Sequence, residues 1–133
     1  MMRKSYLGIF LLISLLLVAC TSDQPSISFE SKQFDLGDVV NGEIVSRDVI
    51  LHNDGDSPLV VETVSTSCGC TQASLDPMTI SPGEVGVLHI DFDSGAHGLN
   101  LTGKVTRQIF INSNDPQQPE ALVEFTANIL TRE

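Results

Sequence analysis

The chain has 133 residues and a formal net charge of −10, which allows one domain around one core and gives the wrong sign for holding nucleic-acid phosphates. It has no tryptophan and a single tyrosine, Tyr6, so it lacks the aromatic faces on which sugars or single-stranded bases stack. Past the first stretch the aromatic residues are Phe29, Phe34, Phe92, Phe110 and Phe125, and these read as core.

Arg3 and Lys4 precede an apolar run from Leu7 to Ala19, shorter than the ~20 residues a membrane-spanning helix needs and of the form of a secretory signal. The run closes on Leu17-Val18-Ala19-Cys20, which resembles the lipobox of bacterial lipoproteins, where cleavage precedes a cysteine that carries acyl chains. Residues 1–19 are therefore expected to be a lipoprotein signal peptide. Cys20 is the expected lipidation site, residues 20–26 a lipidated N-terminus and tether, and residues 27–133 the folded domain. An ordinary signal peptide that happens to contain a cysteine is the plainer alternative. The signal would remove Arg3 and Lys4 but no acidic residue, leaving a more negative mature chain that an anionic bilayer repels. Attachment to the membrane must then come from acyl chains, at ~0.8 kcal/mol per buried methylene. The expected location is the cell envelope, with the protein facing the periplasm.

Ile27-Ser28-Phe29 and Gln33-Phe34-Asp35-Leu36 alternate apolar with polar residues and predict a first strand bent near Ser31. From Ile44 to His52, Val45, Val49 and Leu51 share one strand face, interrupted by Arg47, with Ile50 opposite. A dense turn from Asn53 to Pro58 leads to the β-branched run Leu59 to Val64, which returns antiparallel. The loop Ser67-Cys68-Gly69-Cys70-Thr71 comes next. Between Asp76-Pro77 and Ser81-Pro82-Gly83, Met78-Thr79-Ile80 has room only for a brief edge strand. Gly86 to Asp93 gives the cleanest alternation, through Leu88, Ile90 and Phe92. A loop from Ser94 to Gly103 precedes Lys104 to Ile111, with Val105, Ile109 and Ile111 inward. The last strand, Ala121 to Leu130, carries Val123, Phe125, Ala127 and Ile129 in register. About seven short strands with regular turn signals predict an all-β fold, an immunoglobulin-like antiparallel β-sandwich preceded by the signal peptide. It is not of the antibody type, which needs two distant cysteines and a tryptophan.

These motifs recur in order elsewhere. Phe34-Asp35-Leu36-Gly37-Asp38-Val39, Asn53-Asp54-Gly55, Pro58-Leu59-Val60-Val61, Ser67-Cys68-Gly69-Cys70-Thr71, Ile80-Ser81-Pro82-Gly83, Phe92-Asp93-Ser94 and Ser113-Asn114-Asp115 resemble the bacterial family catalogued as domain of unknown function 1573. The resemblance implies a Hydin-type or PapD-like immunoglobulin domain of the cell envelope, often a lipoprotein, and it brings no established activity. One departure is that Val49 and Leu51 stand where the family often has aromatic residues.

Candidate sites are few. Asp54-Gly55-Asp56 lacks the later glutamate and fixed glycine of a calcium loop and reads as a solvated turn. His89 and Asp91 share a strand face but no Gly-x-Ser-x-Gly elbow accompanies them, so they read as an exposed polar face. Asn100-Leu101-Thr102 has the glycosylation pattern, which is without force in a bacterial envelope protein. Cys68 and Cys70 stand above these. The pair could form a tight turn with reduced thiols, a small disulfide, or a soft-metal site for Cu(I) or Zn(II), although Zn(II) prefers four ligands. As a staple a three-residue ring contributes only ~1.6 kcal/mol in the chain-entropy model.

The expected function is a non-catalytic binding or scaffolding module, anchored to the membrane through lipid at Cys20, with an envelope protein as partner, no nucleic acid and no identified small-molecule substrate. The alternative is a soft-metal or thiol-redox protein using Cys68 and Cys70. Strand parity sorts the possible third ligands. If the Ile44 strand runs up, the Asn53 turn and the Ser81-Pro82-Gly83 turn lie at the top, and the cysteines and the Ser94 to Gly103 loop at the bottom. His97 is then expected beside the cysteines, with Met78, at the foot of its short strand, as a second candidate. The tether enters at the top, so the cysteine end is expected to face away from the membrane.

Overall fold

The computed structural model of the chain describes residues 23–133. The expected signal peptide and Cys20 lie outside the described residues. Nine strands follow in order: β1 Ile27–Phe29, β2 Gln33–Val40, β3 Ile44–Asn53, β4 Leu59–Thr66, β5 Thr71–Asp76, β6 Thr79–Ile80, β7 Val85–Asp93, β8 Gly103–Ser113 and β9 Glu120–Leu130. They form two sheets, ordered β1-β3-β7-β5 and β2-β9-β8-β4-β6. All pairings are antiparallel except β2 beside β9, which is parallel.

The period-two pattern does the sorting. Val49 and Leu51 on β3 and Leu88, Ile90 and Phe92 on β7 are buried from one sheet. Ile109 and Ile111 on β8 and Val123, Phe125, Ala127 and Ile129 on β9 meet them from the other. Phe125 sits centrally, stacked on Phe34 with ring centroids 5.6 Å apart and meeting Phe92 edge-on at 5.4 Å. Burying these side chains removes the apolar surface that drives the sheets together, at ~1.5–3 kcal/mol for a fully buried residue of this size.

The bend expected at Ser31 is a change of sheet. β1 pairs with β3, whereas β2 lies against β9. Beyond Phe29, opposite Leu51, β3 therefore loses its neighbour on that edge. Arg47, which breaks the apolar face of β3, covers this gap with its guanidinium 5.6 Å from the Phe34 ring centroid. A split first strand and one strand not foreseen, β5, account for nine strands where about seven were expected. In β5 only Thr71 and Leu75 are buried, so an edge strand of small and polar residues offers little periodicity to read.

β5 also corrects the placement of Met78. The ascending element after the cysteine loop is β5, which runs along β7 from Thr71 opposite Phe92 to Asp76 opposite Val87. The chain has already crossed the sandwich when it reaches Met78, whose carbonyl accepts the Val61 N–H at 2.8 Å near the start of β4. Met78 thus belongs to the Asn53 end, away from the cysteines.

The incoming chain is fixed at that same Asn53 end. Asp115, buried, accepts the Ile27 N–H through Oδ2 at 2.8 Å, and Asp56 N–H donates to Gln24 O at 3.0 Å. Gly55 permits this approach, because a Cβ there would fall 2.2 Å from Gln24 O and 2.6 Å from Ser26 N. The aspartates of the Asn53 turn serve this docking too: Asp54 N–H donates to Ser26 O at 2.8 Å, and its carboxylate accepts from Ser28 Oγ.

Candidate functional site

At the opposite end the Cys-Gly-Cys loop joins β4 to β5, and its backbone is tightly held. Ser67 N–H donates to Gln108 O at 2.9 Å while Gln108 N–H donates to Ser67 Oγ at 3.0 Å. Thr66 Oγ1 lies 3.0 Å from both the Cys68 and Thr71 carbonyl oxygens, and Asp93 N–H donates to Cys70 O at 2.8 Å. Cys68 and Cys70 are joined by a disulfide, with Cα atoms 5.2 Å apart. Cys70 is buried at 3% exposure, and Cys68 is only partly buried. The two sulfurs of the pair therefore meet different environments.

His97 comes to this pair from the β7–β8 loop, with Nε2 2.9 Å from Cys68 Sγ. A disulfide sulfur has no proton, so the ring N–H is the donor. The loop is built to hold this position. Buried Asn41 donates from Nδ2 to Gly98 O at 3.1 Å and Leu101 O at 2.8 Å, and buried Ser94 accepts the Gly42 N–H at 3.0 Å. Gly98, at φ +97°, makes the bend that follows His97 in a region L side chains rarely adopt.

Arg107 completes the arrangement and was missed in the sequence. Its Nε–H donates to Cys70 Sγ at 3.0 Å. The signal was present, since Arg107 occupies an inward-parity position of β8 between Val105 and Ile109, where an apolar residue is expected. A guanidinium beside a sulfur stabilises negative charge there.

Of the residues singled out, the structure brings together Cys68, Cys70 and His97, whose candidate donor atoms lie within 4.8 Å of one another. Met78 is not among them. With both sulfurs in the disulfide, neither is a thiolate for Cu(I) or Zn(II), so the donor set for a soft metal is not assembled in this oxidised form. His89 pairs across strands with Asp48, Nδ1 to Oδ1 at 2.7 Å, and Asp91 with Ser46 Oγ at 2.5 Å. Both pairs lie on the solvent face of the β1-β3-β7-β5 sheet.

The surface around the disulfide is also distinct. Ile44 and Leu99 are the most exposed large hydrophobic residues among those described, at 68% and 60%. Both lie at the cysteine end: Ile44 stands opposite Asp93, and Leu99 lies near Gly42. A recess of about 170 Å³ opens between Ile44 and the loop, lined by Ile44, Gly69, Cys70, Gln72, Asp91 and Asp93.

Fold and loop together define an immunoglobulin-like sandwich of the PapD-like kind carrying a Cys-Gly-Cys disulfide at one end. The chain belongs to the family described as "Protein of unknown function (DUF1573)", whose model matches residues 27–129, as the motifs implied. A protein of unknown function from Porphyromonas gingivalis W83 is similar, with TM-score 0.70 and 25% identity over 85% of this chain and 51% of that one. This chain thus spans about half the length of that protein. The ASH/PapD-like domain 7 of human CEP192 has TM-score 0.63 at 11% identity, covering 100% of this chain and 99% of that one. The YadV chaperone has TM-score 0.52 at 13% identity over 80% of this chain and 52% of that one. At such identities the last two bear on the fold alone. No curated protein matches the chain.

Proposed function

We propose that this is a non-catalytic binding or scaffolding module of the bacterial cell envelope, anchored through lipid at Cys20, facing the periplasm and presenting its cysteine end to a protein partner. The observation that carries this reading is the opposition of the two ends. Residues 24–27 dock at the Asn53 end, and the exposed Ile44 and Leu99 flank the disulfide at the other. A tether from residue 20 to residue 26 spans at most ~20 Å, so it holds the Asn53 end near the bilayer and turns the cysteine end outward. Exposed large apolar side chains such as these are the usual material of a docking surface. Capture from envelope membranes with the intact lipoprotein tests it. One partner should be retained equally by the parent and by a Cys68→Ser, Cys70→Ser protein, and lost on Ile44→Glu with Leu99→Glu. Retention by that charged variant would contradict it.

A second reading, thiol-redox chemistry at Cys68 and Cys70, is favoured by one specific observation: His97 and Arg107 each direct an N–H at a different sulfur of the disulfide. A ring contributing so little stability has small value as a staple. Reversible conversion to a folded dithiol by dithiothreitol tests this reading.

A further inference from the structure

Resting on that thiol reading, we infer that the disulfide exchanges with a dithiol reductant in a fixed direction, with Cys68 the sulfur that is attacked and Cys70 the sulfur that leaves. Exchange depends on which sulfur a thiolate can reach and on how well the departing thiolate is stabilised. Both criteria choose the same polarity here. Cys68 is partly exposed on the loop, while Cys70, although it borders the recess, keeps only 3% of its surface exposed. Arg107 Nε–H, 3.0 Å from Cys70 Sγ, meets the charge that appears when Cys70 leaves. Thr71 Oγ1, 3.7 Å from the same sulfur, can add a second donor.

One thiolate of the reductant attacks Cys68 Sγ, and a new S–S bond forms between them. The Cys68–Cys70 bond breaks, and its electron pair stays on Cys70 Sγ as a thiolate held by Arg107. The second thiol of the reductant then attacks its own sulfur in the mixed disulfide and closes the reductant's disulfide. Cys68 is expelled as a thiolate and takes up a proton as this second thiol gives one up. His97 Nε2–H, 2.9 Å from Cys68 Sγ, can hand Cys68 its proton while the ring takes up at Nδ1 the one the second thiol gives up. Two electrons pass from the dithiol to the protein, and no further oxidant or reductant is involved. In reverse, reduced Cys68 attacks an incoming disulfide and Cys70 resolves the adduct.

The reverse direction gives the test, made on the full chain in detergent with glutathione disulfide and dithiothreitol as probes. Cys70→Ser, which keeps Cys68, should form a glutathione adduct at Cys68, assigned by peptide mapping that separates it from Cys20. Cys68→Ser, which keeps Cys70, should react at least about tenfold more slowly because its sulfur is buried. Equal or inverted rates overturn the assignment. In the otherwise intact chain, Arg107→Gln should slow reduction by dithiothreitol about tenfold, and Arg107→Lys should recover part of the loss. A rate unchanged in Arg107→Gln overturns the role given to Arg107. If dithiothreitol yields no folded dithiol at all, the thiol reading falls and the proposal with it; if the dithiol forms but the two cysteines react alike, only the polarity is wrong.

Discussion

Asn41 Nδ2 donates to Leu101 O at 2.8 Å across 60 residues of sequence, so the turn that ends β2 holds the loop that carries His97. Its second bond, to Gly98 O at 3.1 Å, fixes the residue next to His97. Asn41→Ala removes the donor to both carbonyls, at ~0.5–1.5 kcal/mol for each hydrogen bond lost. The melting midpoint should fall by several degrees, and amide exchange should quicken over residues 94–103 well before the core. Unchanged protection in that loop would contradict the assignment.

The fold should not depend on the disulfide. Closing so short a ring contributes ~1.6 kcal/mol, and ~4–8 °C per kcal/mol is typical for a domain of this size. Calorimetry with and without dithiothreitol should show a shift of about ten degrees or less with a cooperative transition retained. Complete unfolding on reduction would show that the cysteine end nucleates the fold.

Gly55 lies under the incoming chain, and a methyl group there collides with backbone rather than with a flexible side-chain tip. Gly55→Ala should therefore cost ~1–3 kcal/mol and free residues 24–26 from their docking site. Limited proteolysis should then cut the N-terminal segment faster in the variant than in the parent. Equal cutting rates would mean that the docked segment is not held by this turn.

Much of this architecture was legible because β7 and β9 bury one face along their length. Leu88, Ile90 and Phe92, and Val123, Phe125, Ala127 and Ile129, declare their strands by strict alternation. β5 was not legible: its only buried side chains are Thr71 and Leu75, and that loss misplaced Met78. His97 could be placed beside the cysteines from strand parity, since adding β5 and shrinking β6 to two residues at the Asn53 end left the parity of β7 unchanged. Arg107 stands out in the sequence as a charge at an inward position, but what it meets there was not legible until the sulfur was located.

Lipidation at Cys20 has its own signature. Mass spectrometry of the membrane fraction should find a diacylglyceryl cysteine as the first residue of the mature chain, and Cys20→Ala should accumulate uncleaved precursor. A soluble product starting at another residue would remove the anchor from the account.

On the proposed reading the end bearing the disulfide, Ile44 and Leu99 meets the partner while the Asn53 end faces the bilayer. Site-specific photocrosslinking in intact cells tests it most directly, with the photoreactive residue at exposed Ala96 on the cysteine end or at exposed Asp56 on the other. A discrete protein adduct is expected from position 96, weakened by Leu99→Glu, and none from position 56. A protein adduct from position 56 with none from position 96 would contradict it.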